Sequence, residues 1–554
     1  MSRLSQLLGG TAHGRLAGLV AIAAAGGLAV GGAAAATAAK SVAGFHAGPK
    51  VHSEGTVNLR TLGIAAAKAG PEARSKAAAD FRNIPLRTFR SRPALTEAQA
   101  AALAPRATAV GRIVNANRAS PAAGGGSNFN GLDHTDQRNN ADNGNQFSLE
   151  PPDQALAVGH GYVLESVNNA LQVYDLQGRA LLAAPVSMNR FFHLPSEFNR
   201  TTLEQGPFLS DPRAHYDYAT GRFFVTEWAT LNDVNGAPLN VSLQFVAVSQ
   251  TSDPTAGWFV YSYETTNSQF FGCPCFPDFD QLGMDASGVY ITNNLFGLGT
   301  NAFVGAILYA LPKGAMEAGS LPVVLQTSPI PTDFTIQPTV VPPHGKFASE
   351  NGGTEYLVEN LSDLTRNGVA SAVNVWAITG TKSLASGGTS LGLSVATVPT
   401  QTVSAILRAS EQKPGPRPLG GYGPGGLHEP LPRLNPDDGR FSSTAFYVNG
   451  LISAASSTSV LQDNNHLGDG VAFYQFRTAR ARGGFTVNVE NQAIYSAPGN
   501  ADMIYPAVAI NSAGQGGIGV TLVSPDIYPS AASFAVPEFS APTIVVTGPG
   551  AQPD

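Results

Sequence analysis

A unit of apolar strand, polar turn with glycine and second apolar strand recurs through most of this chain, and it limits the fold more than any other feature. It reads as "LAVGHGYVLESVN" at Gly161, "AHYDYATGRFFVTEWA" at Gly221, "LGMDASGVYITNNLF" at Gly288, "STAFYVNGLISAASS" at Gly450 and "AVAINSAGQGGIGVTLV" at Gly514. A weaker copy, "PHGKFASENGGTEYLVEN", surrounds Gly353. The copies lie about 60–70 residues apart, except where the Pro- and Gly-rich stretch 411–440 reads as an inserted loop and lengthens one interval. A third strand follows each hairpin, as in "ALQVYDLQG" or "AVNVWAITG", and fourth strands fit "WFVYSYE", "LPVVLQ", "LGLSVATV", "FTVNVENQ" and "PTIVVTG". Four such strands make a sheet too small to bury both faces alone, and stacking the sheets around an axis buries both. The expected fold is all-β: a β-propeller of four-stranded antiparallel blades over 144–547. Six visible units give six blades, with seven as the alternative count and a pair of sandwiches as the competing architecture.

Charge and composition divide the rest of the 554 residues. Arg3 and Arg15 precede "LAGLVAIAAAGGLAVGG", and the small residues of "AAAATAAK" follow. That order is a secretory signal, so 1–39 is expected to be a signal peptide cleaved after Ala38 or Ala39, with an uncleaved anchor as the alternative. The mature chain is then secreted or periplasmic, with no further membrane span. Residues 40–120 carry 13 basic and 4 acidic side chains among many alanines. The section 40–143 reads as a largely disordered basic spacer or pro-segment, or as a segment docking on the acidic body or on an anionic surface. From 121 onward 18 basic face 35 acidic residues, which argues against nucleic acid as a partner. Residues 548–554 read as a disordered tail.

Several stretches carry a family likeness: "GNQFSLEPPDQALAVG", "GPFLSDPRAHYDYATGRFFV", "AVSQTSDPTAGW", "CPCFPDFDQLGMDASGVYITNN" and "YPAVAINSAGQGGIGVTLVSPDIYPSAASF". Together they resemble the signature stretches of an uncharacterised family of exported bacterial β-propeller proteins, distantly similar to sialidases. The resemblance spans roughly 144–534. It implies a fold and a compartment, and no activity.

Cys273 and Cys275, the only cysteines, are expected to pair in an oxidising compartment and to stiffen the loop entering the third unit; a reduced pair is the alternative. "TSDPTAGWFVY" partly resembles the Asp-box of sialidase propellers, with Asp253 closing a turn and Trp258 packing between sheets, a structural role. A sialidase also needs three arginines, a Tyr–Glu pair and an Asp acid; Arg213, Arg222 and Arg440 are available, but no Arg-Ile-Pro start motif precedes the first unit.

Acidic residues gather at unit entrances. Asp153, Asp211, Asp217, Asp280 and Asp285, with Arg440, are the candidate binding residues, since carboxylates converging on one mouth could hold a cation or supply acid and base for glycosidic cleavage. The competing reading is that each Asp caps its own turn. Calcium is the candidate cation, with Asp133, Asp136 and Asp142 offering a second acidic cluster that lacks EF-hand spacing. Tyr422, Tyr505, Tyr528 and Trp228 are candidate sugar-stacking aromatics. No nucleophile elbow, His-Glu-x-x-His or phosphate loop is present. The function expected is a binding or interaction module for a glycan or an envelope or extracellular protein. The alternatives are a sialidase-like carbohydrate hydrolase or lyase using mouth carboxylates, and a surface-layer scaffold.

Overall fold

The computed structural model describes residues 36–69, 81–83, 95–115, 128–133, 136–137, 146, 148–199, 202–408, 410–415, 433–462, 465–482, 484–537 and 540–553. Most of the expected signal peptide lies outside them. The described chain is all-β in character, with antiparallel four-strand meanders following one another.

The first sheet comprises Ala155–Gly159, Tyr162–Val167, Ala170–Asp175 and Val186–Ser187, and the second Phe208–Asp217, Arg222–Asn232, Pro238–Ser249 and Gly257–Glu264. The third comprises Cys275–Met284, Gly288–Gly297, Phe303–Pro312 and Leu325–Gln326, and the fourth Gln337–Val340, Thr354–Asn360, Val369–Thr379 and Gly392–Ser404. The fifth comprises Ala445–Val448, Leu451–Leu461, Leu467–Ala481 and Gly484–Ser496, and the sixth Asp502–Ile510, Gly516–Ser524, Ile527–Val536 and Thr543–Gly548. The fourth and fifth also join through a short parallel pairing, Thr339 with Ala445 and Val340 with Phe446. The hairpins and the third and fourth strands read from the sequence are strands in the structure, with one correction: around Gly353 the stretch 343–349 forms no strand, and the first strand of that sheet is Gln337–Val340.

Period-two alternation explains why these sheets stack. Phe223 and Val225 of the second sheet pack against Leu164 and Leu171 of the first, while Phe224 points the other way, to Ile291 and Tyr309 of the third. Tyr290 and Leu308 of the third meet Leu357 and Trp376 of the fourth. Tyr356 and Val375 of the fourth meet Tyr474 and Phe476 of the fifth, and Val471 and Phe473 meet Ile518 and Leu522 of the sixth. A strand whose odd and even residues are both apolar must be covered on both faces, and neighbouring sheets provide the cover. This is the packing of a β-propeller.

Parts of the N-terminal section and of the C-terminal stretch are described. The described parts of the section expected to be a largely disordered spacer carry strands and helices. Lys40–Val42 pairs with the outer strand of the fourth sheet, His46–Ala47 with that of the third and Val51–Asn58 with that of the second, and just before them, within the stretch expected to be signal peptide, Thr37–Ala38 pairs with that of the fifth. Leu59–Ala69 is a helix, Glu97–Leu103 a second one with Thr96 in a capping box, and Arg112–Asn115 adds a parallel strand to the sixth sheet. An outer strand exposes a row of unpaired amides and carbonyls, and a low-hydrophobicity segment satisfies them through its backbone without needing apolar side chains. In the stretch expected to be a disordered tail, Gly548 pairs with Ala531, and the Gly550 amide donates to Ser530 Oγ at 2.9 Å.

The sixth sheet shows how tightly a turn can constrain sequence. A Cβ on Gly516 would lie 1.8 Å from the Ala509 carbonyl oxygen, and backbone cannot move aside as a side chain can. Gly516→Ala is expected to cost about 2–4 kcal/mol; a urea midpoint unchanged from wild type would contradict this.

Candidate functional site

The first strand of every sheet faces the axis, and together these strands line a channel with a cavity of about 580 Å³. At one end a backbone feature repeats. Asp153 (φ 49°), Asp211 (62°), Phe279 (57°), Thr335 (56°), Asp437 (64°) and Tyr505 (54°) are all left-handed, each on or before the first strand of successive sheets. In the second, third and sixth sheets the ladder slips at this point, between Ser210 and Arg213, Asp278 and Gln281, and Ile504 and Ala507. Such bulges re-aim side chains, and left-handed backbone at a residue with a Cβ is costly, so its repetition at one mouth marks a place where shape is imposed.

The carboxyls at this mouth interact with one another. Asp153 accepts from Asn168 Nδ2 at 2.9 Å and shares a hydrogen bond with Asp211. Asp211 accepts from Trp228 Nε1 at 2.6 Å and from the Phe279 amide at 2.9 Å. Asp280, fully buried, accepts from Thr226 Oγ1 at 2.7 Å and Gln244 Nε2 at 2.9 Å through Oδ2, while Oδ1 has no partner. Beside them Glu227 is fully buried with neither carboxylate oxygen hydrogen bonded. Burial, then the neighbouring charge of Asp211, holds the Asp153 carboxyl well above the usual carboxylate range. Glu227 is raised likewise by burial and then by Asp280. Burial pushes Asp280 up to about 7, with Arg213 opposing.

Cations and an aromatic complete the mouth. Arg213 donates from Nε to the Asp280 carbonyl at 2.8 Å, and its Nη2 is buried without a partner. Its guanidinium lies 4.7 Å from the Phe279 ring centre, and that of Arg440 lies at 4.7 Å from the same ring. Arg440 is held by Asp438, with Nε to Oδ1 at 2.7 Å. Burial, then Asp438, pushes Asp437 up to about 7. Tyr505 is half exposed, donates to the Asn435 carbonyl at 2.5 Å, and is raised by burial and by the charges of Asp437 and Asp153. Carboxyls that keep a proton near neutrality can donate or accept a hydrogen bond, and are suited to acid–base work.

Of the residues expected from sequence, Asp153, Asp211, Asp280 and Arg440 gather at this mouth. Asp217 and Asp285 do not. Asp217 closes the second sheet's first hairpin, six residues beyond Asp211 and therefore about 20 Å further along the strand. It accepts from the Ala219 amide at 2.9 Å and pairs with Lys313 at 2.6 Å. Asp285 accepts from the amides of Ser287 and Gly288 at 2.8 and 2.7 Å, and from Thr381 Oγ1. Both are turn-capping groups, the reading that competed with a site.

Glu227, Phe279, Asp437 and Asp438 were not singled out by sequence reasoning. Glu227 left a signal: it occupies the same face as Phe223, Val225 and Ala229, the face packed on the first sheet, so a carboxyl stands where alternation requires an apolar group. Asp437 and Asp438 in "NPDDGR" fall at the end of the stretch read as an inserted loop.

Other candidates resolve as structural. Asp253 accepts from the Thr255 amide at 2.9 Å and Trp258 is buried, donating to the Pro254 carbonyl at 2.8 Å. The sulfurs of Cys273 and Cys275 lie at bonding distance, with Cα atoms 4.5 Å apart. Trp228 is buried, Tyr528 donates to the Pro414 carbonyl at 3.4 Å, and Tyr422 lies outside the described residues. Asp133 and Asp136 accept each other's amide hydrogens at 3.0 and 3.1 Å; Asp142 lies outside the described residues. Among the described residues no group of three or more His, Cys, Asp or Glu side chains is placed to hold a metal ion, and no helix is long and apolar enough to cross a membrane.

No protein-family model matches the sequence, and no curated protein matches it. Solved structures with a similar fold include a xylan β-1,4-xylosidase from Bacillus halodurans C-125, 12% identical with a TM-score of 0.25 over 62% of this chain and 56% of that one. They also include a subtype N10 neuraminidase-like protein of A/little yellow-shouldered bat/Guatemala, 11% identical with a TM-score of 0.31 over 69% and 93%. A third is a Hadza microbial sialidase, 9% identical with a TM-score of 0.29 over 71% and 66%. The chain thus spans little more than half of the xylosidase. These are distant relationships of fold.

Proposed function

We propose that this chain is an exported six-bladed propeller whose channel mouth binds a glycan. The observation that supports this reading is the convergence of Asp153, Arg213, Phe279, Asp437 and Tyr505, each from a different strand or strand entry, on a single cavity. A cavity of about 580 Å³ falls within the range of roughly 300–1,000 Å³ common for small-molecule sites. Its lining mixes hydrogen-bond donors, acceptors and aromatic faces, which suits hydroxyl groups spaced around a sugar ring.

A glycan array followed by calorimetry tests it. Asp153→Asn and Arg213→Met are each expected to weaken the best array ligand about ten-fold or more, the first through loss of the carboxyl's hydroxyl donor and the second through loss of a charge-assisted hydrogen bond. An array without any ligand, or ligands that bind both variants unchanged, would count against the mouth.

A second reading, glycosidic cleavage at the same mouth, is favoured by Asp437, a carboxyl that keeps its proton up to about pH 7 and lines the cavity. Asp437→Asn would then abolish release of reducing ends, by roughly 100-fold or more, with binding kept within a few-fold. Absence of any reducing-end release from array ligands would leave the binding reading alone.

A further inference from the structure

Each interface between consecutive sheets, first to sixth, has its own apolar cluster. Among the described residues no such cluster is shared by the sixth and first sheets. There the first sheet presents Leu156 and Val158, 61% and 43% exposed, and the sixth presents exposed Ala507 and Ala509; all four line the channel cavity. The two sheets also pair no strand with each other: the first is built from 155–187, and the sixth from 502–548 with Arg112–Asn115 on its outer edge. A ring closed by neither a shared core nor a shared strand needs another closure.

The N-terminal section supplies bonds in the right places. Residues 37–58 run along the outer edges of the fifth, fourth, third and second sheets in that order. The helix Leu59–Ala69 follows directly, and its Gly63 lies against Leu182 and Ala183 of the first sheet's last connection. Further on, Arg112–Asn115 pairs with the outer strand of the sixth sheet. Asn128 then donates from Nδ2 to the Thr547 carbonyl of that sheet. The ring of the next residue, Phe129, packs tilted against Tyr174 of the first sheet with ring centres 5.3 Å apart, and the Leu132 amide donates to Glu165 Oε2 at 2.9 Å. Adjacent residues therefore hold opposite sides of the seam.

We infer that the N-terminal section is the clasp of the ring: a belt, 40–58, around the outer edges, and a latch, 112–115 together with 128–132, on the two sides of the seam between the sixth and first sheets. The belt strands are mostly exposed, with Val57 and Leu59 as buried anchors, so the belt is held chiefly by backbone ladders and acts by linking sheets. The section is accordingly part of the working protein, and its removal as a pro-segment would loosen the seam. Because the candidate mouth sets Asp153 of the first sheet beside Tyr505 of the sixth, the clasp also holds the mouth's shape.

Amide hydrogen exchange on the full chain tests this, with two variants: deletion of 40–58, and Phe129→Ala, which removes one half-exposed ring and threatens folding little. The expected result in both is exchange at least ten-fold faster in 155–159 and 502–510, which face each other across the seam, with 288–297 in the third sheet unchanged. Should the deletion fail to fold, the Phe129→Ala arm decides alone. Faster exchange confined to the outer strands 257–264 and 392–404, or seam exchange unchanged by Phe129→Ala, would overturn the inference.

Discussion

Asp280→Asn is expected to make this protein more stable above pH 7 and nearly unchanged at pH 4. The sign follows from the direction of the shift. Burial raises the folded-state Asp280 carboxyl from an ordinary value of 3.8 to about 7, so the proton bound in the folded state contributes stability fully below pH 4. That contribution is lost as pH rises through 7, and the loss amounts to about 4 kcal/mol for a shift of roughly three pH units. Asparagine removes the ionisation while its side-chain oxygen still accepts from Thr226 and Gln244. Its NH₂ replaces the unpartnered Oδ1, in a cluster where Glu227 and Asp211 can accept. Denaturant midpoints for both proteins at pH 4.5 and 8.5 check this. A difference that is the same at both pH values, or a variant weaker than wild type at pH 8.5, would show that the ionised carboxylate is stabilised in the folded state and that burial does not dominate. Wild-type stability should itself decline through neutrality, because Asp153, Glu227, Glu355 and Glu359 are raised in the same direction.

Lys313→Met is expected to cost about 3–5 kcal/mol, the usual penalty for stranding one member of a buried ion pair. Lys313 Nζ donates to Asp217 Oδ2 and to the Asp285 carbonyl, both at 2.6 Å, and both charged side chains are 2% exposed. Without the ammonium, Asp217 keeps only the Ala219 amide and Thr220 hydroxyl as donors. Adding Asp217→Asn removes the stranded charge, so the double variant should recover much of the loss. His215 gives a second readout. Burial pushes it down to about 4, and Lys313 contributes to that depression while Asp217 opposes it. In Lys313→Met alone the His215 imidazole should titrate at higher pH, visible by NMR. Additive losses in the double variant, together with an unmoved His215, would place the energy of this corner outside the pair.

Much of the architecture was legible in the chain. Strand positions could be read because Phe223–Phe224–Val225 and Leu357–Val358 put apolar groups on both faces, and turns because Gly161, Gly221 and Gly450 take left-handed backbone. The belt was not legible, because Val51–Asn58 pairs through its backbone and leaves most of its side chains in water; a strand that buries almost nothing has no hydrophobic period. At the mouth, Asp153, Asp211 and Asp280 were legible as a group, whereas Asp217 and Asp285 looked identical to them. All five are acidic residues beside strand ends, and only the end of the strand on which each falls separates a mouth residue from a turn cap.

Alternation and turn chemistry, which are local, thus determined by themselves that the chain forms repeated four-stranded sheets needing cover on both faces. Tertiary structure alone decided which sheet ends meet, that carboxyls far apart in sequence lie side by side, and that the described strands of the basic N-terminal section run along the outer edges. The physical reason is that strand pattern is written in the period of consecutive side chains. Convergence of charges and capping of free edges depend on which backbones lie side by side, and no window of sequence contains that information.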